Sequence, residues 1–266
     1  MLDLHCHMLP AMDDGAADLN MALDMAAMAV ADGIHTVACT PHIYPGMYDN
    51  TAYGIRAAIN AFQDELDQRG ISLRLVEGAD VHLDPGLVAG LREDRIPTLA
   101  GSRYILLEPP HHVAPPRLEE SIFQLQVAGY VPIVTHPERL TWFGDHYTLF
   151  VRLVRGGAWM QVTSGSLTGR FGRRPRYWAE RLLDEGLVHI LATDAHHPRR
   201  RPPLLAEAWD VAARQVGAEE ARHLVETRPQ GIIENKAPAD LPGLQPAPRG
   251  ARRFWKSLFG AKPAHS

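Results

Sequence analysis

Seven short apolar and β-branched runs recur along this chain, and segments with helical periodicity separate them. The runs are "LDLHC" (2–6), "IHTVACT" (34–40), "LRLVEGADV" (73–81), "RYILLE" (103–108), "VPIVTH" (131–136), "AWMQVT" (158–163) and "LVHILAT" (187–193). Each is typical of a strand buried on both faces of a parallel sheet. Helices are predicted between the runs, at 19–32, 52–69, 117–129, 146–155, 176–185 and 204–216. This alternation limits the fold to an α/β barrel or a doubly wound open sheet.

Polar residues at the ends of the predicted strands distinguish these two folds. Almost every strand ends in a side chain that can bind a metal ion: His5, His7, His42, Asp80, Glu108, His136, Asp194 and His196. A barrel brings all of its strand ends to one mouth, whereas an open sheet spreads them along an edge. We therefore predict a (β/α) barrel with fewer than the usual ~8 strands.

The spacing and chemistry of these residues indicate a catalytic metal centre. Residues two apart on a strand point to the same face, so His5 and His7 can bind one ion together, as can Asp194 and His196. Nitrogen and oxygen ligands without a thiolate suit Mn²⁺, Fe or catalytic Zn²⁺. The set exceeds the ~4 to 6 ligands of a single ion, so we predict two or three ions and a hydrolytic reaction.

Arginines next to two of the predicted strands point to a phosphate ester as the substrate. Arg139 lies in "THPER", just after the strand that ends at His136, and the arginines of "RRRPP" (199–203) come shortly after Asp194. The guanidinium fork matches phosphate oxygens, which favours a phosphoester over an amide.

Charge and composition exclude other functions. The formal net charge is -4, so nucleic acid is not expected as the main partner. A basic leader followed by an apolar run is lacking at the start of the chain, so a cytoplasmic location is predicted.

The two cysteines do not fit the chemistry of thiol-dependent tyrosine phosphatases. That chemistry needs a thiolate followed six positions later by arginine. The sixth residue is Met12 after Cys6 and Pro45 after Cys39. We predict both thiols to be buried and inert.

Composition divides the chain into three parts. A packed domain is predicted over residues 1–235, a linker rich in Pro, Ala and Gly over 236–250, and a basic amphipathic tail over 251–266. For the tail, a frayed end and a helix that docks on a partner or a membrane surface both stay open.

Six motifs together carry a resemblance to a known family. They are "DLHCHMLPAMDDG", "ACTPHIYPG", "EGADVHL", "LLEPP", "VTHPERL" and "ATDAHHPRRRPP". In this order and spacing they resemble the PHP (polymerase and histidinol phosphatase) superfamily. The chain is most similar to its bacterial capsule and exopolysaccharide branch of manganese-dependent protein-tyrosine phosphatases, the CpsB/YwqE type, from residue 2 to about 235.

The resemblance implies a distorted (β/α)₇ TIM-like barrel, the PHP fold, with three Mn²⁺ ions. The ligands it implies are His5, His7 and Asp194 for the first ion, Glu108 and His136 for the second, and Asp14, His42 and His196 for the third. Asp80 stands where the family usually has a glutamate that bridges the first two ions, so this ligand is one methylene shorter here. The resemblance also implies that a metal-bridging hydroxide attacks a phosphate held by Arg139 and Arg201, with His136 essential for turnover.

The resemblance further implies a phosphotyrosine protein as the substrate, namely the tail of a membrane-bound bacterial tyrosine kinase. The basic tail of the chain would then hold the enzyme near the membrane. Two alternatives stay open: a PHP phosphatase for a small-molecule phosphate such as histidinol phosphate or a nucleotide, and a metal-binding module without catalysis. The oligomeric state also stays open. The other histidines are predicted to be structural, with a place at the mouth as the alternative for His111 and His112.

Overall fold

A ring of parallel strands forms the centre of the molecule, which we describe from a computed structural model covering residues 1–247. The strands are β1 (Leu2–Cys6), β2 (Thr36–Cys39), β3 (His42–Ile43), β4 (Arg74–Glu77), β5 (Asp80–His82), β6 (Tyr104–Glu108), β7 (Val131–Thr135), β8 (Trp159–Thr163) and β9 (Ile190–Ala192). One sheet has the order β1-β2-β4 and the other the order β3-β5-β6-β7-β8-β9. A parallel bridge between Cys6 and Ala195 joins β1 to the chain just after β9 and closes the ring.

Two positions in the ring are each occupied by two strand segments, so the nine segments fill seven positions. β3 continues β2 beyond Pro41, and β5 continues β4 beyond Gly78. Gly78 lies at a crowded point, because a Cβ there would approach Thr40 Cγ2 to 2.9 Å and Leu99 Cδ2 to 2.8 Å. The predicted barrel is confirmed, whereas the prediction of one unbroken strand over 73–81 is wrong.

Helices alternate with the strands as the sequence predicts, with a few additional short ones. The helices are α1 (Leu19–Ala31), α2 (Ala52–Gln68), α3 (Leu87–Arg92), α4 (Leu118–Val127), α5 (Tyr147–Arg155), α6 (Ser164–Leu167), α7 (Arg173–Asp184), α8 (Ala206–Val216), α9 (Ala218–Arg222) and α10 (Arg228–Ile233), with a π-helical turn at His223–Thr227. Asp18 and Thr51 cap α1 and α2 by accepting hydrogen bonds from the backbone N–H of Met21 and Gly54. The sequence did not predict α3, α6, α9 and α10, which are too short for a clear periodicity.

Apolar side chains fill the ring below its mouth. Leu106, Ile133 and Ile190 belong to one buried cluster together with Ile232 of α10. Leu106 lies two residues before Glu108 on β6, so the two share a face of the strand. A separate and larger cluster packs the helices against the outside of the ring. The barrel is therefore a packed core whose polar groups gather at one end.

Residues 236–247, predicted to be linker, lie along the barrel. The fully buried Arg228 donates hydrogen bonds to the carbonyls of Pro242 and Gly243, 2.9 Å each, and forms an ion pair with Glu220 at 2.8 Å. The backbone N–H of Ala247 donates to the carbonyl of Asp184 at 3.2 Å. The division of the chain at residue 235 stays a prediction, and the predicted tail over 251–266 lies outside the described residues.

The helices between residues 1 and 247 do not include one with both the length and the hydropathy to span a membrane.

Candidate metal centre

The end of β1 forms the first part of a polar cluster at the mouth of the barrel. The Nε2 atoms of His5 and His7 lie 3.1 Å apart. Asp80 Oδ2, from the start of β5, lies 3.3 Å from His5 Nε2. Asp194 Oδ1, just beyond β9, lies 3.5 Å from each of these two Nε2 atoms. Two imidazoles and two carboxylates therefore converge on one point.

Glu108 and His136 form the second part, at the ends of β6 and β7. His136 Nε2 lies 3.5 Å from Glu108 Oε1 and 4.0 Å from Asp80 Oδ2. His42 Nδ1 connects this part to the rest of the cluster, at 3.5 Å from Glu108 Oε2 and 3.6 Å from Asp80 Oδ2. Asp80 thus lies between the two parts, with its oxygen nearer to His5 than to His136.

A third group is centred on Asp14. His196 Nε2 and His42 Nε2 lie 3.3 Å and 3.5 Å from Asp14 Oδ1. Candidate ligand atoms of His7, Asp14, His42 and His196 all lie within 4.8 Å of one another. The structure therefore brings all of the ligands predicted from sequence into one cluster, although their roles stay predictions.

The spacing within the cluster fits bound divalent ions. Contacts of 3.3 to 3.6 Å between imidazole nitrogens and carboxylate oxygens are longer than good hydrogen bonds. An ion with bonds of about 2.1 Å in tetrahedral geometry places its ligand atoms about 3.4 Å apart. Both Asp80 oxygens are buried and accept no hydrogen bond from residues 1–247. Burial raises the pKa of Asp80, so a cation next to it would favour its charged form.

Hydrogen bonds from behind orient the imidazoles toward the cluster. His7 Nδ1 donates to Asp13 Oδ2 at 2.6 Å, and His5 Nδ1 donates to Gln161 Oε1 at 3.0 Å. These bonds direct the lone pairs on Nε2 into the cluster, an arrangement typical of metal-binding histidines. Sequence reasoning missed both partners. Asp13 is adjacent to the predicted ligand Asp14, and Gln161 is the single polar residue between Trp159 and Val162 in an otherwise apolar run.

Burial and neighbouring charges together shift the pKa values of His5 and His7 in opposite directions. Burial disfavours a charged His5, but the carboxylates of Asp80 and Asp194 outweigh it and raise the pKa of His5 to about 9. Burial and the nearby His196 lower the pKa of His7 to about 3, despite the carboxylate of Asp13. Without bound ions, His7 is therefore the neutral lone-pair donor of the pair at pH 7.

The backbone at the mouth has unusual conformations at two predicted ligands and a close approach at one glycine. His136 and Asp194 have φ values of 33° and 51°, in the left-handed region that costs free energy for residues other than glycine. A Cβ on Gly15 would lie 2.0 Å from the carbonyl oxygen of His7. Only glycine therefore lets the turn that carries Asp14 lie so close to β1.

Arg139 and Arg201, predicted at this mouth, both lie at its rim. Each donates to Asp194 Oδ2, with a distance of 2.5 Å for Arg201, which also donates to the backbone carbonyl of Asp194 at 2.9 Å. The two guanidinium carbons lie 4.7 Å and 6.0 Å from the centre of the Phe171 ring. Phe171 and Asp194 together hold the two positive charges beside the predicted ligands.

Two further histidines lie at the cluster although the sequence favoured a structural role for them. His82 Nδ1 lies 3.5 Å from Glu108 Oε2, and His111 Nε2 lies 3.4 Å from Glu108 Oε1. His82 follows Asp80 by two residues on β5, which places the two on one face and was the signal available.

A closed ring of parallel strands whose carboxyl ends carry imidazoles, carboxylates and arginines defines the class of metal-centred (β/α) barrels. Residues 1–234 match the family model described as capsular polysaccharide synthesis, CpsB/CapC. The chain belongs to this family, which confirms the resemblance stated from its motifs.

Relatives of the chain have names that agree with the predicted activity. It is 36% identical over 219 residues to the tyrosine-protein phosphatase YwqE of Bacillus subtilis, covering 82% of this chain and 86% of that protein. It is 30% identical over 210 residues to the putative tyrosine-protein phosphatase CapC of Staphylococcus aureus, covering 79% and 82%. The chain also matches a solved structure with a TM-score of 0.87 and 34% identity, over 94% of this chain and 100% of that one. That structure comes from work on YwqE of Bacillus subtilis and CpsB of Streptococcus pneumoniae, which are described as unique metal-dependent tyrosine phosphatases.

Proposed function

We propose that this chain is a metal-dependent phosphatase that removes phosphate from tyrosine side chains of a protein substrate. The observation that carries the proposal is the pair Arg139 and Arg201, which meet on Asp194 at the edge of the ligand cluster. The names of the relatives support tyrosine phosphate as the substrate.

The arginine pair supplies the binding site for phosphate. Both guanidiniums are largely buried and already oriented by Asp194 and Phe171, so little conformational entropy is lost when they bind an anion. A phosphate next to them would accept hydrogen bonds from one side and face the imidazole cluster on the other. Charges that are oriented in advance stabilise a phosphoryl group in its transition state.

The residues of the cluster would hold the ions, with Asp80 between the positions centred on His5 and His136. Ions bound there would lower the pKa of water toward neutrality and oppose the charge of the phosphate. His5 and His7 hold their lone pairs toward the cluster because Gln161 and Asp13 bind their Nδ1 atoms.

The cysteines are poor nucleophiles in this fold. Cys6 and Cys39 are fully buried, and burial raises the pKa of both thiols. Because the thiolate is the reactive form, neither residue supports a cysteinyl-phosphate route.

We further propose Mn²⁺ as the native ion and the phosphorylated tail of a bacterial tyrosine kinase as the substrate. The ligand set of imidazoles and carboxylates without thiolates supports a first-row divalent ion, and the resemblance to manganese-dependent phosphatases favours Mn²⁺ among these ions. Support for the kinase tail comes from the assignment of the family to capsular polysaccharide synthesis. The cytoplasmic location stays a prediction.

The test is hydrolysis of a phosphotyrosine peptide by the full chain with and without Mn²⁺. We expect turnover that a chelator abolishes and added Mn²⁺ restores, and that a thiol-alkylating reagent leaves largely intact. Arg201→Ala should lower kcat/KM about a hundredfold or more with Mn²⁺ still bound, because one donor to the phosphate is lost. The exposed Arg200, one residue earlier, offers a matched control, and Arg200→Ala should retain activity.

The alternatives predict different results in the same assay. Preferential turnover of histidinol phosphate or a nucleotide would replace the tyrosine substrate by a small molecule. Bound Mn²⁺ without hydrolysis of any of the three phosphoesters would show a metal-binding module instead of an enzyme.

A further inference from the structure

His111 lies next to the candidate ion position formed by Glu108 and His136. Its Nε2 atom is 3.4 Å from Glu108 Oε1, and His136 Nε2 is 3.5 Å from the same oxygen. One candidate ligand atom from each of these three residues lies within 4.8 Å of the other two. The two imidazole nitrogens therefore lie close to one carboxylate oxygen.

The two distances to Glu108 Oε1 fit a cation shared by the three residues better than hydrogen bonds from the imidazoles to the carboxylate. Both contacts exceed the 2.7–3.2 Å range of N–H···O bonds. They match the ~3.4 Å that separates ligand atoms around a tetrahedral ion with bonds of ~2.1 Å.

The loop that carries His111 is held in place by the segment after β7. The carbonyl of His111 accepts hydrogen bonds from the backbone N–H of Thr141 at 3.0 Å and from Thr141 Oγ1 at 3.1 Å. The carbonyl of Pro110 accepts a hydrogen bond from Trp142 Nε1 at 2.8 Å. His111 is thus built into the rim, whereas His112 next to it is exposed.

Asp80 lies farther from the His136 side of this position than from the His5 side. Its Oδ2 atom lies 3.3 Å from His5 Nε2 but 4.0 Å from His136 Nε2. A carboxylate that bridges two ions needs to reach both, and the short side chain of Asp80 leans toward the His5 side.

We propose that His111 is a ligand of the ion held by Glu108 and His136, and that it adds a contact on the side of this ion that Asp80 approaches least. The proposal rests on the proposed function, since it assumes that the cluster holds ions. Two imidazoles and one carboxylate form a ligand set that suits Zn²⁺ or Fe²⁺ better than Mn²⁺. His111 would therefore also influence which metal occupies this position.

The experiment is equilibrium metal binding by the full chain, stripped with a chelator and titrated separately with Mn²⁺ and Zn²⁺. For His111→Ala we expect one class of ions to bind at least tenfold more weakly, with a larger loss for Zn²⁺ than for Mn²⁺. Pulsed EPR of the Mn²⁺-loaded protein should show one coordinated imidazole nitrogen fewer. His112→Ala is the matched control and should bind both metals as the unaltered chain does.

A second background tests the link with Asp80. In Asp80→Glu the longer carboxylate reaches the His136 side, so adding His111→Ala should cost less metal affinity than it does in the unaltered chain. Equal losses in the two backgrounds would overturn the compensation by His111.

The outcomes separate this inference from the proposed function. Binding curves and nitrogen couplings of His111→Ala that superimpose on those of the unaltered chain would overturn the inference while leaving the phosphatase intact. If the unaltered chain bound neither Mn²⁺ nor Zn²⁺, the proposed function and this inference would both fail.

Discussion

Replacing Asp13 by asparagine should weaken metal binding at the mouth while the barrel stays folded. The two carboxylate oxygens of Asp13 accept three hydrogen bonds, from His7 Nδ1 at 2.6 Å, His42 N at 2.9 Å and Gly15 N at 2.9 Å. Asparagine has the same shape but one oxygen and one NH₂ group. In either orientation of the amide, at least one of the three donors then faces another donor.

The expected size of the effect follows from these contacts. An unsatisfied buried donor costs about 1–3 kcal/mol. The imidazole of His7 also loses the negative partner that makes its Nε2 a strong ligand. Loss of such a partner typically weakens metal affinity about 10–100-fold, or about 1.4–2.7 kcal/mol. We therefore expect the Mn²⁺ activation curve to shift to concentrations 10–100 times higher, with the rate at saturating Mn²⁺ changed only a few fold.

The assay is hydrolysis of a phosphotyrosine peptide as a function of free Mn²⁺, with direct Mn²⁺ binding measured in parallel. Asp18→Ala is the control for a loss of stability alone. It removes the side chain that caps α1, which costs about 1 kcal/mol away from the site. It should lower the free energy of unfolding and leave the Mn²⁺ curve in place.

One result would refute this reasoning. If Asp13→Asn bound Mn²⁺ as tightly as the unaltered chain, the carboxylate would not be what makes His7 a good ligand.

Three further predictions concern other parts of the molecule. Gly15→Ala should weaken Mn²⁺ binding about tenfold or more, because its Cβ would lie 2.0 Å from the carbonyl oxygen of His7 and force the turn away. His189→Asn should flatten the dependence of the free energy of unfolding on pH. Burial lowers the pKa of His189, so below about pH 6.5 the unfolded chain binds a proton that the folded chain does not, and the unaltered chain loses up to about 1.4 kcal/mol per pH unit from this group. Urea unfolding in the presence of a chelator between pH 7 and 5 measures the difference. Arg228→Met should lower the free energy of unfolding by about 3–5 kcal/mol, because it leaves the carboxylate of Glu220 buried without its partner.

Controls are available for each of these. Gly243 has open space where a Cβ would stand, so Gly243→Ala should leave Mn²⁺ binding unchanged. If Gly15→Ala bound Mn²⁺ as tightly as the unaltered chain, the first prediction would be contradicted. The asparagine oxygen can accept the bond that His189 Nδ1 now accepts from Met160 N at 3.0 Å. Loss of the imidazole stacked on Trp159 lowers stability equally at every pH, so the pH slope reports titration alone, and identical slopes would contradict the second prediction. A companion Glu220→Gln change should recover part of the stability lost in Arg228→Met, and full stability of the single variant would contradict the third.

The sequence predicts the fold and the cluster well because both follow from short-range patterns. Buried parallel strands appear as apolar runs, and a barrel gathers whatever follows them, so His5, His136 and Asp194 could be placed together without coordinates. Glu108 and Asp80 followed from the same rule.

Features that depend on packing between distant segments could not be predicted in this way. Gln161 meets His5 across 156 positions of the chain, and a single glutamine in an apolar strand does not indicate its partner. The break at Gly78 depends on the side chains of Thr40 and Leu99, which come from other parts of the chain. Residues 236–247 have the composition of a linker, yet they are bound by Arg228, a residue whose burial the sequence does not reveal.

After α10 the chain crosses the end of the barrel where the strands begin. Asp184 ends α7 at the end of the barrel where the strands begin, and Ala247 is hydrogen-bonded there. The metal cluster opens at the opposite end. Residues 236–247 therefore lie across the closed end of the barrel and leave the mouth open to a peptide that arrives from the surrounding solution.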